Sequence, residues 1–357
     1  MLDLDPGRVA DVDQTLISVV IPVRNESRHI AATLQMLLAQ DFDPGQFELL
    51  VVDGNSTDDT CTLVRRLAQQ HPQIRLLPNP WQWSSAGRNV GVRAARGQII
   101  VIIDGHCQIP TQQYFQHLAE AFADASIDIV GRPQPLTVEG ASVLQKAIAA
   151  ARASRIGHHP DSLIYSNRAQ IAPAMSVGAA YRRRVFDKIG YFDEQFDACE
   201  DVDFNYRADR AGLRCLFDPK VAVHYFPRRT LHQLFHQLAR YGRGRIRMLR
   251  KHPETFSWKS LAPAAVVGSF ACALALACTV PYGWVLLLVL TNGYALLIGL
   301  GSVCTAISSR QLALLPWLPL VFLGIHFGAG FGLWREWICG WFRTSQAPRL
   351  EQVRAGN

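Results

Sequence analysis

Two aspartates stand where a ligand would be met. Asp53 follows the apolar run from Phe47 to Val52, and Asp104 follows the run from Gln98 to Ile103. One aspartate at the end of a strand is commonly a turn former. Two in neighbouring strand–helix units mark a site, because open parallel sheets bind ligands beyond the carboxyl ends of their strands. Farther on, Glu200-Asp201 opens a helix, where the partial positive charge of the helix N-terminus favours an ionised carboxylate. Between Arg228 and Lys251 lie eight Arg and Lys residues and no acid. Beside an apolar region, such a block points to anionic lipid head groups or phosphates before nucleic acid.

The elements that position these residues alternate. Leu16 to Val23 reads as a buried parallel strand, ended by Pro22 and by polar Arg24-Asn25-Glu26. Ile30, Leu34, Leu37 and Leu38 share one helical face. The strand ending at Asp53 is followed by the turn Gly54-Asn55-Ser56-Thr57, with Ser56 or Thr57 available to cap a helix from Asp58 to Gln70. A third strand covers Ile74 to Leu77. A helix from Ser84 or Ser85 runs to Arg96, with Gly97 where a C-terminal cap belongs. This alternation means βαβ units and a mostly parallel, Rossmann-like α/β sheet.

After Gly131 the pattern loosens. The expected elements are a small-residue helix over Ala141–Arg155, a loop at His158-His159-Pro160-Asp161, a strand over Met175–Arg182 and a helix from Glu200 to Ala211. Arg214–Phe217 and Val221–Phe226 read as strands, and Thr230 caps a long amphipathic helix.

Composition then breaks sharply. The chain has 357 residues, 18% charged and 49% hydrophobic, with a net charge of +7, yet Leu261 to Ser309 holds no Asp, Glu, Lys or Arg. Stretches 261–280, 284–307 and 312–334 are each long enough to cross about 30 Å of hydrocarbon. The domain plan is a polar tail (1–15), a catalytic domain (16–229), a basic interfacial helix and linker (230–260), a transmembrane region (261–334) and a polar tail (335–357). The basic block places the N-terminal domain in the cytosol by the positive-inside rule. Met1 to Gln14 is acidic and polar, unlike a signal peptide. Three crossings would put the last tail outside, yet it carries Arg335, Arg343, Arg349 and Arg354. A re-entrant third stretch, broken by Pro316 and Pro319, would leave it inside. Trp334, Trp337, Trp341 and Phe342 suit an interfacial belt either way. The eight cysteines form no Cys-x-x-Cys pair, against a zinc site or disulfide framework and for a reducing compartment.

Several short segments, taken in order, resemble the family 2 glycosyltransferases of GT-A fold. They are Val20-Ile21-Pro22-Val23-Arg24-Asn25-Glu26, Asp53-Gly54-Asn55-Ser56-Thr57-Asp58, Gly87-Arg88-Asn89-Val90-Gly91, Asp104-Gly105-His106 and Glu200-Asp201. The resemblance covers about residues 16–250. It is strongest to the enzymes of succinoglycan-type exopolysaccharide synthesis, which also carry Asp-x-His for Asp-x-Asp and C-terminal membrane helices.

The resemblance implies an inverting transfer from a nucleotide-diphosphate sugar, with UDP the family's usual nucleotide. Asp53 would accept a hydrogen bond from the nucleobase, in a donor site with Pro22, Arg24, Glu26, Asn55, Arg88, Asn89 and Asp104. Glu26 could equally be a compensating charge at a helix N-terminus. Asp104 and His106 would hold a divalent metal, Mn²⁺ before Mg²⁺ because imidazole suits it better. The alternative for His106 is sugar contact without metal. Asp201 would be the base, with Glu200 beside it and Asp203 the competitor. Gln237-Leu238-Ala239-Arg240-Tyr241 resembles the family's Gln-x-x-Arg-Trp motif, with Tyr for Trp. Arg240 would then contact the diphosphate, with Gln237 and Tyr241 on the acceptor. Arg243, Arg245 and Arg247 could hold a lipid pyrophosphate or simply anchor the helix at the membrane.

The partners expected are a nucleotide-sugar, a lipid-linked saccharide, membrane lipids and other polysaccharide-assembly proteins. The expected location is the inner (plasma) membrane, crossed several times. Two rivals remain. One is a non-catalytic membrane scaffold with a transferase-like domain. The other is a nucleotidyltransferase, which lacks support because no Gly-rich basic loop follows the first strand.

Overall fold

A computed structural model describes residues 17–158 and 162–340. The chain divides into two units: Met1–Thr137 with Asp161–Phe226, and Val138–Pro160 with Pro227–Asn357. The segment carrying the small-residue helix therefore leaves the first unit, although in sequence it lies inside the expected catalytic domain. His159, Pro160 and Asp161 of the expected loop lie outside the described residues.

In the first unit, β1 (Ile17–Val23), β2 (Phe47–Asp53), β3 (Ile74–Pro78) and β4 (Ile99–Ile102) alternate with α1 (Ile30–Leu38), α2 (Thr60–Gln70) and α3 (Ser84–Ala94). After β4 come β5 (Cys107–Gln108), α4 (Tyr114–Ala123) and β6 (Ile129–Gly131). In the second unit lies α5 (Val143–Ala153). The first unit resumes with β7 (Gln170–Ile171), β8 (Gly178–Arg182), α6 (Arg183–Ile189), α7 (Glu200–Arg210), β9 (Cys215–Phe217) and β10 (His224–Tyr225). The main sheet has the order β3-β2-β1-β4-β8-β6-β9-β7, and β5 and β10 form a separate ribbon.

β1 pairs in parallel with both β2 and β4, so strand order reverses at β1/β4. Most of β1 and β2 is buried on both faces, which explains their unbroken Ile, Leu and Val. β8 runs antiparallel to β4 and β6. A short apolar run carries no mark of its direction, so the sequence could not give this reversal. The expected caps shift too. Asp58 rather than Ser56 or Thr57 accepts from the Thr60 N–H, at 3.1 Å. α3 ends before Gly97, whose N–H donates to the Ser18 hydroxyl.

The second unit adds α8 (Leu231–Lys251), α9 (Trp258–Thr279), α10 (Gly283–Ser308) and α11 (Leu318–Cys339) to α5. Thr230 caps α8 by accepting from the Gln233 N–H, as its type and place suggest. α9, α10 and α11 are each long and apolar enough to cross a membrane. The third expected stretch moves: α11 begins at Leu318 and continues through Arg335 and Glu336. Pro319 sits in its first turn, where a missing N–H costs no hydrogen bond. Trp341, Phe342, Arg343, Arg349 and Arg354 lie outside the described residues.

Candidate donor and catalytic site

The loops after β1 and β2 are laced together. Asn25 and Asn55 take left-handed backbone angles, φ 57° and 61°, which asparagine tolerates better than most residues. The Thr57 N–H donates to Asn25 Oδ1 at 2.8 Å, and the Glu26 N–H to Thr60 Oγ1 at 2.8 Å. The Ser27 and Thr60 N–H groups both donate to the Asp58 carboxylate. Burial works against its charge, but bonds from Thr60 and Ser27 win and hold Asp58 below the usual carboxylate range. Asp53, at the end of β2, accepts from the Ser56 N–H at 3.1 and 3.3 Å. Pro22 is half-buried opposite Val52, and Arg24 and Asn55 are exposed.

At the β1/β4 reversal, His106 Nδ1 meets Glu26 Oε1 at 2.9 Å. Gly105 lies between Asp104 and His106 in sequence; a Cβ there would come within 2.7 Å of Val23 Cγ1. Glu26 thus has a partner that neither sequence-based alternative named. Burial would raise the Asp104 pKa. The charges of His106, Arg88 and Arg132, with a bond from the Tyr225 hydroxyl, outweigh it and hold Asp104 low.

Arg132 and Tyr225 are the residues that sequence reasoning missed. Arg132 is buried, donating to the Tyr114 hydroxyl and the Ile102 carbonyl, each at 2.8 Å. Its position just after strand-ending Gly131 is the signal that singled out Asp53 and Asp104. Tyr225 gives no such signal, because only the β5/β10 pairing brings it beside Cys107.

Arg88, on α3, is buried, 3.2 Å from Glu200 Oε1 and 5.4 Å from the Phe192 ring centre. Burial opposes its charge, but Glu200, Asp201 and Asp104 together keep it firmly protonated. Burial pushes Glu200 up, against the pull of Arg88. Asp201 is half-buried in the first turn of α7, its Oδ1 accepting from the Val202 N–H. Asp203 is buried and paired with Arg207 at 3.1 Å, a structural use of its carboxylate that Asp201 does not share.

Asn89 also departs from expectation. Its amide donates to the Phe192 carbonyl and Glu194 Oε1 and accepts from the Phe192 N–H. It therefore clamps the 192–194 segment rather than facing a ligand.

Asp104 and His106 suit a divalent cation chemically. A carboxylate is a hard donor, and the Glu26 contact fixes the imidazole as outer-shell carboxylates do for metal-binding histidines. Among the described residues no three His, Cys, Asp or Glu side chains cluster closely enough to hold a metal. A two-donor site fits ions commonly bound through one or two protein groups and substrate phosphates. The guanidinium Nε atoms of Arg88 and Arg132 are buried without a hydrogen-bond partner, as donors prepared for an anion would be.

Gln237, Arg240 and Tyr241 lie on α8, in the second unit. The Gln237 amide donates to the Tyr241 hydroxyl at 3.3 Å, and Arg240 and Tyr241 are exposed. Arg247, open in sequence to a lipid pyrophosphate or to membrane anchoring, is paired with Glu336 of α11 at 2.9 Å.

Residues 14–244 match the family described as "Glycosyltransferase like family 2". The chain is 29% identical to the succinoglycan biosynthesis protein ExoA of Rhizobium meliloti, over 91% of this chain and 96% of that one. It is 26% identical to glycosyltransferase AglE of Haloferax volcanii, over 65% and 73% respectively. Among solved structures, a mannosyltransferase from Pyrobaculum calidifontis, in complex with GDP-Man and Mn²⁺, superposes with a TM-score of 0.58. The two are 21% identical and the match covers 87% of each chain. That likeness establishes the GT-A fold expected from the sequence.

Proposed function

This chain belongs to the glycosyltransferase-like family 2, and from that premise we propose that it transfers a sugar, with inversion, from a nucleoside-diphosphate sugar to a membrane-associated saccharide acceptor. The observation that carries the proposal is one run of charge. It starts at Asp104, among His106, Arg88 and Arg132, and continues through Arg88 to Glu200 beside Asp201.

Asp201 takes the proton from the attacking acceptor hydroxyl. As that oxygen bonds to the anomeric carbon, the bond to the diphosphate breaks on the opposite face, and its electron pair leaves with the β-phosphate. Arg88, fixed by Glu200, offers Nε to the anionic donor. Asp104 and His106 would hold Mn²⁺ or Mg²⁺, which when bound would supply Lewis-acid neutralisation of the leaving diphosphate. Asp53 accepts from the nucleobase, with Pro22, Arg24 and Asn55 in the loops around it. Glu26 orients His106, and Asn89 positions the Phe192–Glu194 segment. On α8, exposed Arg240 suits an anionic group, and Gln237 and Tyr241 suit a sugar.

The relatives support a lipid-linked or polysaccharide acceptor. One acts in succinoglycan biosynthesis, and a Methanococcus voltae relative, 23% identical, is named as acting on a dolichyl-linked sugar phosphate. The apolar helices and basic α8 support an acceptor at the inner membrane with a cytosolic donor site.

A panel of nucleotide-sugars, tested with Mn²⁺ and membrane extract, checks the proposal. Metal-dependent consumption of one donor, with inverted anomeric configuration in the product, is expected. No metal-dependent nucleotide binding by calorimetry would overturn it.

A further inference from the structure

We propose that only α9 and α10 cross the bilayer. α11 lies at the membrane surface with α8, on the side from which α8 leads in. The inference rests on the membrane part of the function proposed above and concerns the second unit alone.

α11 has a companion that hydrocarbon would reject. Leu234 meets Gly324, the Phe235 carbonyl meets Gly328, the Ala239 carbonyl meets Gly332, and Arg247 and Arg250 meet Glu336. The positions rise together, so α8 and α11 run in the same direction along residues 234–250 and 324–340. The approach is backbone to backbone. A Cβ on Gly242 would lie 2.3 Å from the Ala329 carbonyl oxygen, and one on Gly332 would lie 2.1 Å from that of Ala239. Over that length, about 24 Å at 1.5 Å per residue, α11 could not enter lipid without α8. α8 carries Arg240, Arg243, Arg245, Arg247, Arg250 and Lys251. Arginine and lysine in the middle of a bilayer are costly even when they can snorkel.

The middle of α11 also meets a polar turn. His326 contacts the Ile156 carbonyl at 2.8 Å, in a segment between Arg155 and His158. Protein covers 44% of the apolar window of α11, against 6% for α9 and 11% for α10. Most of the large apolar side chains that α11 leaves exposed form one stripe, Leu320, Leu323, Phe331 and Ile338, with Trp337 beside it near the helix end. A single apolar stripe beside a basic partner is the pattern of a helix lying in the interface, with acyl chains on one side and anionic head groups on the other.

α9 and α10 differ. Away from their contacts with each other and with α11 they leave Leu274, Leu286, Val289, Leu296 and Leu300 exposed, and their joining segment presents Tyr282 and Trp284, 79% and 53% exposed, as anchors for the far interface. That turn, Val280-Pro281-Tyr282, bears no charge. Two crossings put Arg310, Arg335, Arg343, Arg349 and Arg354 on the same side as the basic block, and the charge conflict of a three-crossing chain disappears.

Epitopes placed before Met1 and after Asn357 of the full chain test this in sealed right-side-out vesicles. Both should stay hidden from antibody until the vesicles are opened. A thiol introduced by Tyr282→Cys, followed by peptide mass spectrometry to separate it from the native cysteines, should react with an impermeant maleimide without opening. A C-terminal epitope reached from outside while the N-terminal one is hidden would overturn the proposal. So would labelling of Tyr282→Cys only after opening. None of these readouts needs turnover, so a chain that transfers no sugar would still give an answer. A chain released by alkaline carbonate would sink the membrane premise itself.

Discussion

The two units use glycine in opposite ways. In the first, a Cβ would strike side chains: Val20 Cγ1 at 2.3 Å from Gly91, and Asn205 Oδ1 at 2.7 Å from Gly178. In the second, glycines at helix seams meet backbone carbonyls, Ala329 at 2.3 Å from Gly242 and Pro263 at 2.2 Å from Gly330, although Gly301 and Gly340 still meet side chains. The first unit folds by removing apolar surface from water, so glycine makes room for a core or for a loop near the site. Where helices of the second unit meet, close backbone approach through small residues supplies the packing instead, a mode shared by helices in lipid and by the α8–α11 seam. Charge divides the same way. The first unit gathers it at the strand ends around Asp104, whereas the second uses it to fasten α8 to α11 through Glu336.

Four measurements break or sharpen this contrast. The largest effect belongs to the acid pair. Asp201→Asn should lower kcat by about 10²–10⁴-fold, the usual weight of a general base, with metal-dependent nucleotide binding retained. An unchanged kcat would sink the assignment. Asp203→Asn, which loses a structural ion pair with Arg207, should instead lower thermal stability with a smaller effect on kcat.

Next comes the metal. Glu26→Gln should weaken Mn²⁺ affinity about 10–100-fold, as loss of an outer-shell partner does. A titration followed by nucleotide binding reads it, and unchanged affinity would reduce the Glu26–His106 contact to loop closure.

The glycines test the contrast directly. Gly91→Ala should cost about 1–3 kcal/mol as an overpacked site, and Val20→Ala should recover part of it, because the obstacle is a side chain. Gly242→Ala should cost at least as much, with no recovery from Ala329→Gly, because the obstacle is a carbonyl. Denaturation curves of single and double variants decide. Recovery in the second pair would erase the distinction between the units.

The smallest effect is at Asp58. Its pKa lies below the ordinary 3.8, so its stabilising effect is complete above that value and fades as pH falls toward the folded one. Asp58→Asn should cost at most about 1 kcal/mol near neutrality, since the group is exposed. The gap to the parent should close on acidification; a constant gap would show that the loop bonds do not depend on the charge.

Much of the molecule was legible in residue order. The runs ending at Asp53 and Asp104, the cap at Thr230, the acid pair at a helix start and the uncharged stretch from Leu261 all act through neighbours in the chain. Period, capping chemistry and the length of an apolar run are local properties. Tertiary structure decided the rest. It turned β8 antiparallel, brought Tyr225 and Arg132 to Asp104, assigned Asn89 to the Phe192–Glu194 segment and Asp203 to Arg207, and laid α8 along α11. Except for Asp203 and Arg207, one helical turn apart, each depends on partners far apart in sequence, 86 positions for Arg250 and Glu336. A side chain's type says what it can bind, but packing alone says what it reaches.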